Sequence, residues 1–190
     1  MKYRQLYIFV EGNDDERFFE TQIKPLFKTK YNNIIFIKYA TLKNRKIENF
    51  ITTIRKQKNS SEYIFIADFD NKKIDNFCVS KRKTDKIKLY KNLENNKIII
   101  VKEEIESWYY AGISEGKIAK YKLKTKNNTE KINKELFEKL MPKEFEYKND
   151  FLIEILQDYS INLAKEKNKS FNYFINKYFT YKKWKHTNHK

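Results

Sequence analysis

Three short apolar runs of this sequence each end in a cluster of acidic residues. The clusters are Glu11 with Asp14, Asp15 and Glu16, then Asp68 with Asp70, and last Glu103 with Glu104 and Glu106. Carboxylate oxygens are the ligands that hard divalent cations such as Mg²⁺ and Mn²⁺ prefer, and these ions often keep positions open for water or a phosphate. Crowded carboxylates repel one another unless a cation neutralises them. The sequence therefore predicts a divalent-metal site.

Glu11 is the strongest single candidate of the first cluster, because a helix start does not require a carboxylate at the last position of a strand. Gly12 is expected to permit a close turn into a helix, and Asn13 or Asp14 to act as its N-cap. Acidic residues in a first helical turn also complement the helix dipole. That explanation accounts for some of the cluster but leaves Glu11 for another role.

The second and third clusters repeat this arrangement. Asp68 and Asp70 are two positions apart, so in an extended chain both side chains face the same cation. Taken alone, they are also typical of an Asp-rich turn after a strand. Glu104 and Glu106 follow an apolar run and precede an aromatic stretch that contains Trp108. The recurrence of acids after three apolar runs is more specific than any one of the motifs.

The elements that must position these residues are short strands alternating with helices. Apolar, β-branched runs predict strands over residues 6–10, 34–37, 63–67 and 98–101. Helical periodicity is found over residues 14–27, with a break expected near Pro25, and over 47–57 and 84–93. This alternation predicts parallel strands joined by right-handed crossovers, with functional groups gathered at the carboxyl ends of the strands.

The second half of the chain is helical, with patterns over residues 130–140, 149–166 and 170–178. We therefore expect an α/β protein whose mostly parallel four-stranded sheet, flanked by helices, lies within a catalytic core of residues 1–112. Residues 113–190 are expected to form a basic helical extension packed on that core.

The charge indicates the partner. The chain has 41 Lys and Arg against 25 Asp and Glu, a net charge of +16 that attracts polyanions such as DNA or RNA. A general preference for lysine on solvated surfaces explains the same charge. The lysine-rich stretch after the second acidic cluster is the predicted nucleic-acid contact, through Lys72, Lys73, Lys81, Arg82 and Lys83.

Cysteine content and hydropathy indicate a reducing, cytoplasmic setting. Cys78 is the one cysteine, which excludes an internal disulfide and a structural zinc site of several thiolates. The amino terminus lacks the pattern of a signal peptide, and no apolar run reaches the ~20 residues that span a bilayer. We expect no membrane partner.

The acidic motifs resemble those of Toprim domains, in particular small nucleases related to the OLD family and to phage-defence Toprim proteins. The resemblance covers roughly residues 3–112 and is carried by Tyr-Ile-Phe-Val-Glu-Gly at 7–12, Ile-Ala-Asp-Phe-Asp at 66–70 and Glu-Ile-Glu-Ser-Trp at 104–108. It implies a Rossmann-like Toprim fold and a site for one or two Mg²⁺ or Mn²⁺ ions. The implied ligands are Glu11, Asp15 or Glu16, Asp68, Asp70, and Glu104 or Glu106.

The resemblance implies a metal-dependent nuclease that hydrolyses phosphodiester bonds of DNA or RNA, with a role in phage defence. Glu11, Asp15, Asp68, Asp70 and Glu104 would be its catalytic residues. The phosphate-binding motif of an ATPase is absent, so an ATPase partner would be a separate protein. Two other functions share the fold: non-catalytic binding of nucleic acid or a partner, and primase-like nucleotidyl transfer.

Overall fold

A parallel sheet forms the centre of the protein, which we describe from a computed structural model over residues 3–69 and 78–179. Its strands are β1 (Gln5–Val10), β2 (Asn33–Lys38), β3 (Ser61–Asp68) and β4 (Ile98–Val101). Their order is β2-β1-β3-β4, and all neighbouring pairs are parallel. The four predicted strands and their parallel arrangement are confirmed, and the protein is an α/β protein with helices on both faces of the sheet.

The strand order reverses between β1 and β3. The chain passes from β1 outward to β2, and then returns to place β3 and β4 on the other side of β1. In open parallel sheets, the loops at such a reversal leave a crevice above the carboxyl ends of the strands, where ligands bind. Glu11 directly follows β1, and Asp68 is the last residue of β3. The topology therefore places the first two acidic clusters at this crevice.

Helices cover both faces of the sheet. They are α1 (Asn13–Phe18), α2 (Lys24–Phe27), α3 (Asn44–Lys56), α4 (Val79–Leu89), α5 (Glu106–Ala111), α6 (Glu115–Lys120), α7 (Lys134–Leu140), α8 (Lys148–Gln157), α9 (Ile161–Lys167) and α10 (Lys169–Phe179). All four side chains of β4 are buried, as expected of a parallel strand with both faces covered. None of the helices in the described residues is long and apolar enough to cross a membrane.

The two faces have separate hydrophobic cores. On one face, Ile47 and Ile51 of α3 pack in a cluster with Phe9 and Phe65 of the sheet. On the other face, α1 and α5 share a larger cluster with the helices that follow residue 113. Trp108 is fully buried at its centre, with its ring 5.1 Å from that of Phe171. The carboxyl-terminal helices thus supply much of the cover for this face.

The break predicted near Pro25 is present as an irregularity of the helix rather than as its end. The chain stays helical from Asn13 to Phe27, and the irregularity is a π-helical segment, Phe19–Ile23, that precedes α2. Proline lacks an N–H group, and in an α-helix its ring clashes with the carbonyl four residues earlier. A wider π turn just before proline avoids that conflict while Phe18, Phe19 and Ile23 remain buried.

The single helix predicted over residues 149–166 is wrong, because α8 and α9 are separated between Asp158 and Ser160. The Tyr159 hydroxyl donates to the carbonyl of Trp108 at 2.8 Å, and the Ser160 N–H donates to the carbonyl of Gly112 at 2.8 Å. These tertiary contacts draw the chain out of a helical path. Two other boundaries shift: α4 covers Val79–Leu89 rather than 84–93, and α7 begins at Lys134 rather than at residue 130.

Candidate functional site

A cavity of about 400 Å³ lies above the carboxyl ends of β1 and β3. All three acidic clusters contribute to its lining, as the sequence predicted from strand ends. The predicted residues that line it are Glu11, Asp15, Asp68, Glu104 and Glu106. Arg17, Lys134 and Lys148 line it as well, so that cationic and anionic side chains share the cavity. We call it the acid cavity.

Asp15 is the most unusual carboxylate of the acid cavity. It lies in the first turn of α1 with only 5% of its surface exposed, and its Oδ2 accepts a hydrogen bond from the Gly12 N–H at 3.2 Å. Its Oδ1 is buried and has no hydrogen-bond partner among the described residues. Burial raises the pKa of Asp15 from 3.8 to about 7, and the negative charges of Glu11 and Glu106 act in the same direction. The hydrogen bond from Gly12 opposes this shift but does not cancel it.

Glu11 is held by a tyrosine that the sequence reasoning missed. The Tyr39 hydroxyl donates to Oε2 of Glu11 at 3.2 Å, from a buried position directly after β2. Burial, followed by the charges of Glu11, Asp68 and Asp15, raises the pKa of Tyr39 well above 10. The hydroxyl group of Tyr39 therefore remains protonated and donates to Glu11, under the influence of two further carboxylates.

Asp68 ends β3 in register with Val101 of β4 and is 9% exposed. The side chain of Arg82 donates from Nε to the backbone oxygen of Asp68 at 2.9 Å. Lys86, one turn further along α4, lies with Nζ 5.3 Å from the centre of the Tyr39 ring. Helix α4 thus brings one cationic side chain to the backbone of Asp68 and another to the ring of Tyr39.

The opposite part of the acid cavity is an ion-pair network. Asp14 contacts Nη1 of Arg17 and Nζ of Lys148, each at 2.7 Å, and Lys148 also contacts Glu106 at 2.9 Å. Burial opposes ionisation of Asp14, but the hydrogen bonds from Lys148 and Arg17 prevail and lower its pKa below 3.8. The predicted N-cap at Asn13 or Asp14 is wrong, since Gly12 is the N-cap and Asp14 is used in ion pairs.

Gly12 was expected to permit a close turn into α1, but its backbone conformation does not require glycine. Its backbone is extended, with φ of −144°, and a Cβ at this position would meet nothing within 4 Å. A larger residue would therefore fit the fold, but it would occupy space in the lining of the acid cavity. The absence of a side chain keeps that part of the cavity open.

The third cluster contributes two glutamates in different surroundings. Oε2 of Glu104 accepts from the Lys134 N–H at 2.6 Å, whereas Glu106 is 5% exposed and ion-paired with Lys148. Both line the acid cavity, and the choice between them as a ligand stays open. In the first cluster, Asp15 is favoured over Glu16, because Glu16 pairs with Lys38 at 2.7 Å and is not part of the cavity lining.

The remaining predicted residues lie partly outside the described part of the chain. Asp70, Lys72 and Lys73 belong to residues 70–77, which are not described. Lys81, Arg82 and Lys83 lie in the first half of α4. Arg82 donates to the backbone oxygen of Asp68, whereas Nζ of Lys83 lies 3.5 Å from the carbonyl oxygen of Asn95, beside β4.

The donor set fits a hard divalent cation. Carboxylate oxygens from three chain segments are available, and Asp15 offers a buried oxygen that a cation would satisfy. Within residues 3–69 and 78–179, no group of three or more Asp, Glu, His or Cys side chains already has the arrangement of a metal site. Binding an ion here would require an arrangement of these carboxylates other than the one in this structure.

A second and larger cavity, of about 670 Å³, lies at the opposite edge of the sheet. It is lined by the end of α3 and the start of β3, including Arg55, Glu62, Tyr63 and Lys97. None of the predicted site residues is in this lining. Size alone would favour this cavity, but the convergence of buried carboxylates favours the smaller one.

Comparison with known proteins gives no relative from which a function could be transferred. No family model, no curated protein and no solved structure matches the chain.

Proposed function

We propose that the protein is a Mg²⁺- or Mn²⁺-dependent nuclease that hydrolyses phosphodiester bonds of DNA or RNA at the acid cavity. The observation that carries the proposal is the convergence of Glu11, Asp15 and Asp68 on one cavity at the reversal of strand order. Oxygen donors at this position suit a metal ion that contacts a phosphate. The motif resemblance supports the same function and a Toprim domain within residues 1–112.

The carboxylates would hold the metal. Glu11, Asp15 and Asp68 supply oxygen atoms from the ends of β1 and β3, and Glu104 or Glu106 completes the set from the segment after β4. A bound Mg²⁺ or Mn²⁺ supplies Lewis acidity and lowers the pKa of a coordinated water. Tyr39 would keep the Glu11 carboxylate in place through its hydrogen bond. One or two ions are compatible with this number of donors.

The cations of the acid cavity would act on the substrate. Arg17, Lys134 and Lys148 line the same cavity as the carboxylates, and a phosphate that enters would compete with Asp14 and Glu106 for Arg17 and Lys148. Positioned cations stabilise the negative charge that develops on a phosphate during hydrolysis. Lys148 is part of α8, so the helical segment after residue 113 belongs to this mechanism.

The net charge of +16 supports nucleic acid as the substrate, because it attracts the phosphate backbone over long distances. Within the proposal, the protein acts in the cytoplasm, contributes to phage defence, and works alone or with a separate ATPase.

The test is incubation of the purified protein with end-labelled single- and double-stranded DNA and RNA, in Mg²⁺, in Mn²⁺ and in EDTA. We expect cleavage that requires the metal and is lost in Asp68→Asn. Asp150→Asn removes the same charge from an exposed position of α8 and should cleave as the unchanged protein does. Absence of cleavage with every substrate and both ions, or equal cleavage by Asp68→Asn, would show that the proposal is wrong.

A further inference from the structure

Three lysines from separate elements converge beside the edge strand β4, away from the acid cavity. Lys83 of α4 reaches the carbonyl oxygen of Asn95 at 3.5 Å, and Lys177 of α10 donates to the carbonyl oxygen of Asn96. Lys97 is the next residue of the chain after Asn96. Two ammonium groups are therefore directed at consecutive carbonyls, with a third lysine adjoining them.

This cluster has little negative charge to offset it. Among the described residues, neither Lys83 nor Lys177 forms an ion pair, and Lys97 has only Glu62, at 3.6 Å. Burial, together with the charges of Lys83 and Lys97, lowers the pKa of Lys177. Lysines beside an edge strand also discourage pairing with a second sheet, but that role does not require three ammonium groups in one place. An anion between them would relieve their repulsion.

An exposed aromatic ring adjoins the lysines. Tyr173 lies one helical turn before Lys177 on α10 and is 52% exposed. The Lys177 Nζ is 5.7 Å from the centre of its ring. A ring beside ammonium groups is what single-stranded nucleic acids need, since bases stack on the ring while phosphates contact the cations. In a duplex, the bases are already stacked on each other and do not offer their faces to a protein.

We propose that Lys83, Lys97, Lys177 and Tyr173 form a binding surface for single-stranded nucleic acid, which we call the β4 surface. The lysines take consecutive phosphates, and Tyr173 stacks on a base. Helix α4 connects this surface to the acid cavity, because Arg82 contacts Asp68 while the next residue, Lys83, belongs to the β4 surface. The inference rests on the proposed function only in identifying the bound strand as the substrate.

Binding is tested without cleavage, by fluorescence anisotropy in EDTA with a labelled oligothymidylate and a labelled duplex over a series of salt concentrations. Each phosphate contact on a single strand contributes about 0.7 to the slope of log affinity against log salt. The triple variant Lys83→Gln, Lys97→Gln, Lys177→Gln should therefore lose about 2 from that slope. The matched control, Lys131→Gln, Lys139→Gln, Lys143→Gln, removes the same charge from exposed positions elsewhere and should keep it.

Tyr173 tests the preference for single strands. Tyr173→Ala should weaken binding of the oligothymidylate by about tenfold and leave duplex binding unchanged, whereas Tyr173→Phe retains the ring and should bind normally. Equal effects of the two triple variants would overturn the β4 surface, as would undiminished binding by Tyr173→Ala. Because the binding assay contains no metal, neither result contradicts metal-dependent cleavage at the acid cavity. Conversely, a failure to observe cleavage does not contradict the β4 surface.

Discussion

Adjacent residues Asp14 and Asp15 belong to two sides of the acid cavity that handle negative charge differently. On the α8 side, formed by Asp14, Glu106 and Lys148, cations of the protein itself neutralise the carboxylates. On the β1–β3 side, formed by Glu11, Asp15 and Asp68, Asp15 keeps a buried oxygen without a hydrogen bond from the described residues. The pKa is lowered for Asp14 and raised for Asp15. Asp14 is therefore held by cations of the protein itself, whereas Asp15 is available to a ligand.

The largest expected effect is on cleavage, where the two neighbours should differ most. Asp15→Asn removes a proposed metal ligand and should lower the cleavage rate on the order of 10³-fold. Asp14→Asn keeps the β1–β3 side intact and should lower it by less than about tenfold. Rates of metal-dependent cleavage with saturating Mg²⁺ measure both. Equal losses in the two variants would remove the distinction between the sides.

The second effect is on stability as a function of pH, measured in EDTA by urea unfolding. The folded protein holds the Asp15 proton up to a pKa of about 7, whereas the unfolded chain releases it near 3.8. The contribution of Asp15 to the stability of the wild-type protein is therefore lost as pH rises from 3.8 to 7, and Asp15→Asn lacks this loss. At pH 8, Asp15→Asn should be more stable than wild type by about 3–4 kcal/mol.

A divalent ion should make the wild-type protein more stable than Asp15→Asn. At pH 8, Mg²⁺ should raise the unfolding midpoint of the wild-type protein, because it compensates the buried Asp15 charge, and should have little effect on Asp15→Asn. Well below pH 3.8, where Asp15 is protonated in both states, the two proteins should have similar stability. A pH-independent difference between them would contradict the assignment of the raised pKa to Asp15.

The third effect concerns the α8 side. Lys148→Met removes the cation shared by Asp14 and Glu106 and leaves the 5%-exposed Glu106 without its ion pair. We expect a loss of about 2–3 kcal/mol in the free energy of unfolding at pH 7, measured in urea. Adding Glu106→Gln to Lys148→Met should restore part of it, since the buried charge is then removed. Wild-type stability of Lys148→Met would show that this network contributes nothing to the fold.

The smallest expected effect is that of the tyrosine which orients Glu11. Tyr39→Phe removes the 3.2 Å hydrogen bond to Oε2 of Glu11 and should weaken Mn²⁺ binding by about tenfold, measured by calorimetry. Tyr7→Phe removes a hydroxyl that bonds to Gln5 at 3.1 Å, outside the acid cavity, and is the matched control. Unchanged Mn²⁺ affinity in Tyr39→Phe would show that Glu11 needs no such support.

The features that sequence reasoning predicted are those that depend on local pattern. Apolar runs predicted the four strands, and their alternation with helices predicted the parallel sheet. Because parallel strands share one carboxyl edge, the placement of Glu11 near Asp68 followed without any tertiary information. Asp70, which the same argument placed beside Asp68, lies outside the described residues.

The features that were missed depend on contacts between distant parts of the chain. Lys148 is 134 residues from Asp14, and no periodicity indicates that α8 would place it there. Tyr39 could have been found, since it directly follows β2 at the same carboxyl edge, but a search for acidic residues alone passes over a hydroxyl. The separation of α8 from α9 likewise depends on the hydrogen bonds of Tyr159 and Ser160 to α5 and Gly112.

Gly112, which accepts the hydrogen bond from Ser160, also determines which sequences could share this structure. A Cβ at position 112 would lie 2.2 Å from the ring of Tyr159, so any larger residue forces that ring to move. Homologues that keep a large aromatic residue at position 159 must therefore keep glycine at 112, and those that lose one are free to lose the other. This linked pair gives a search for distant relatives a criterion that is independent of the acidic motifs.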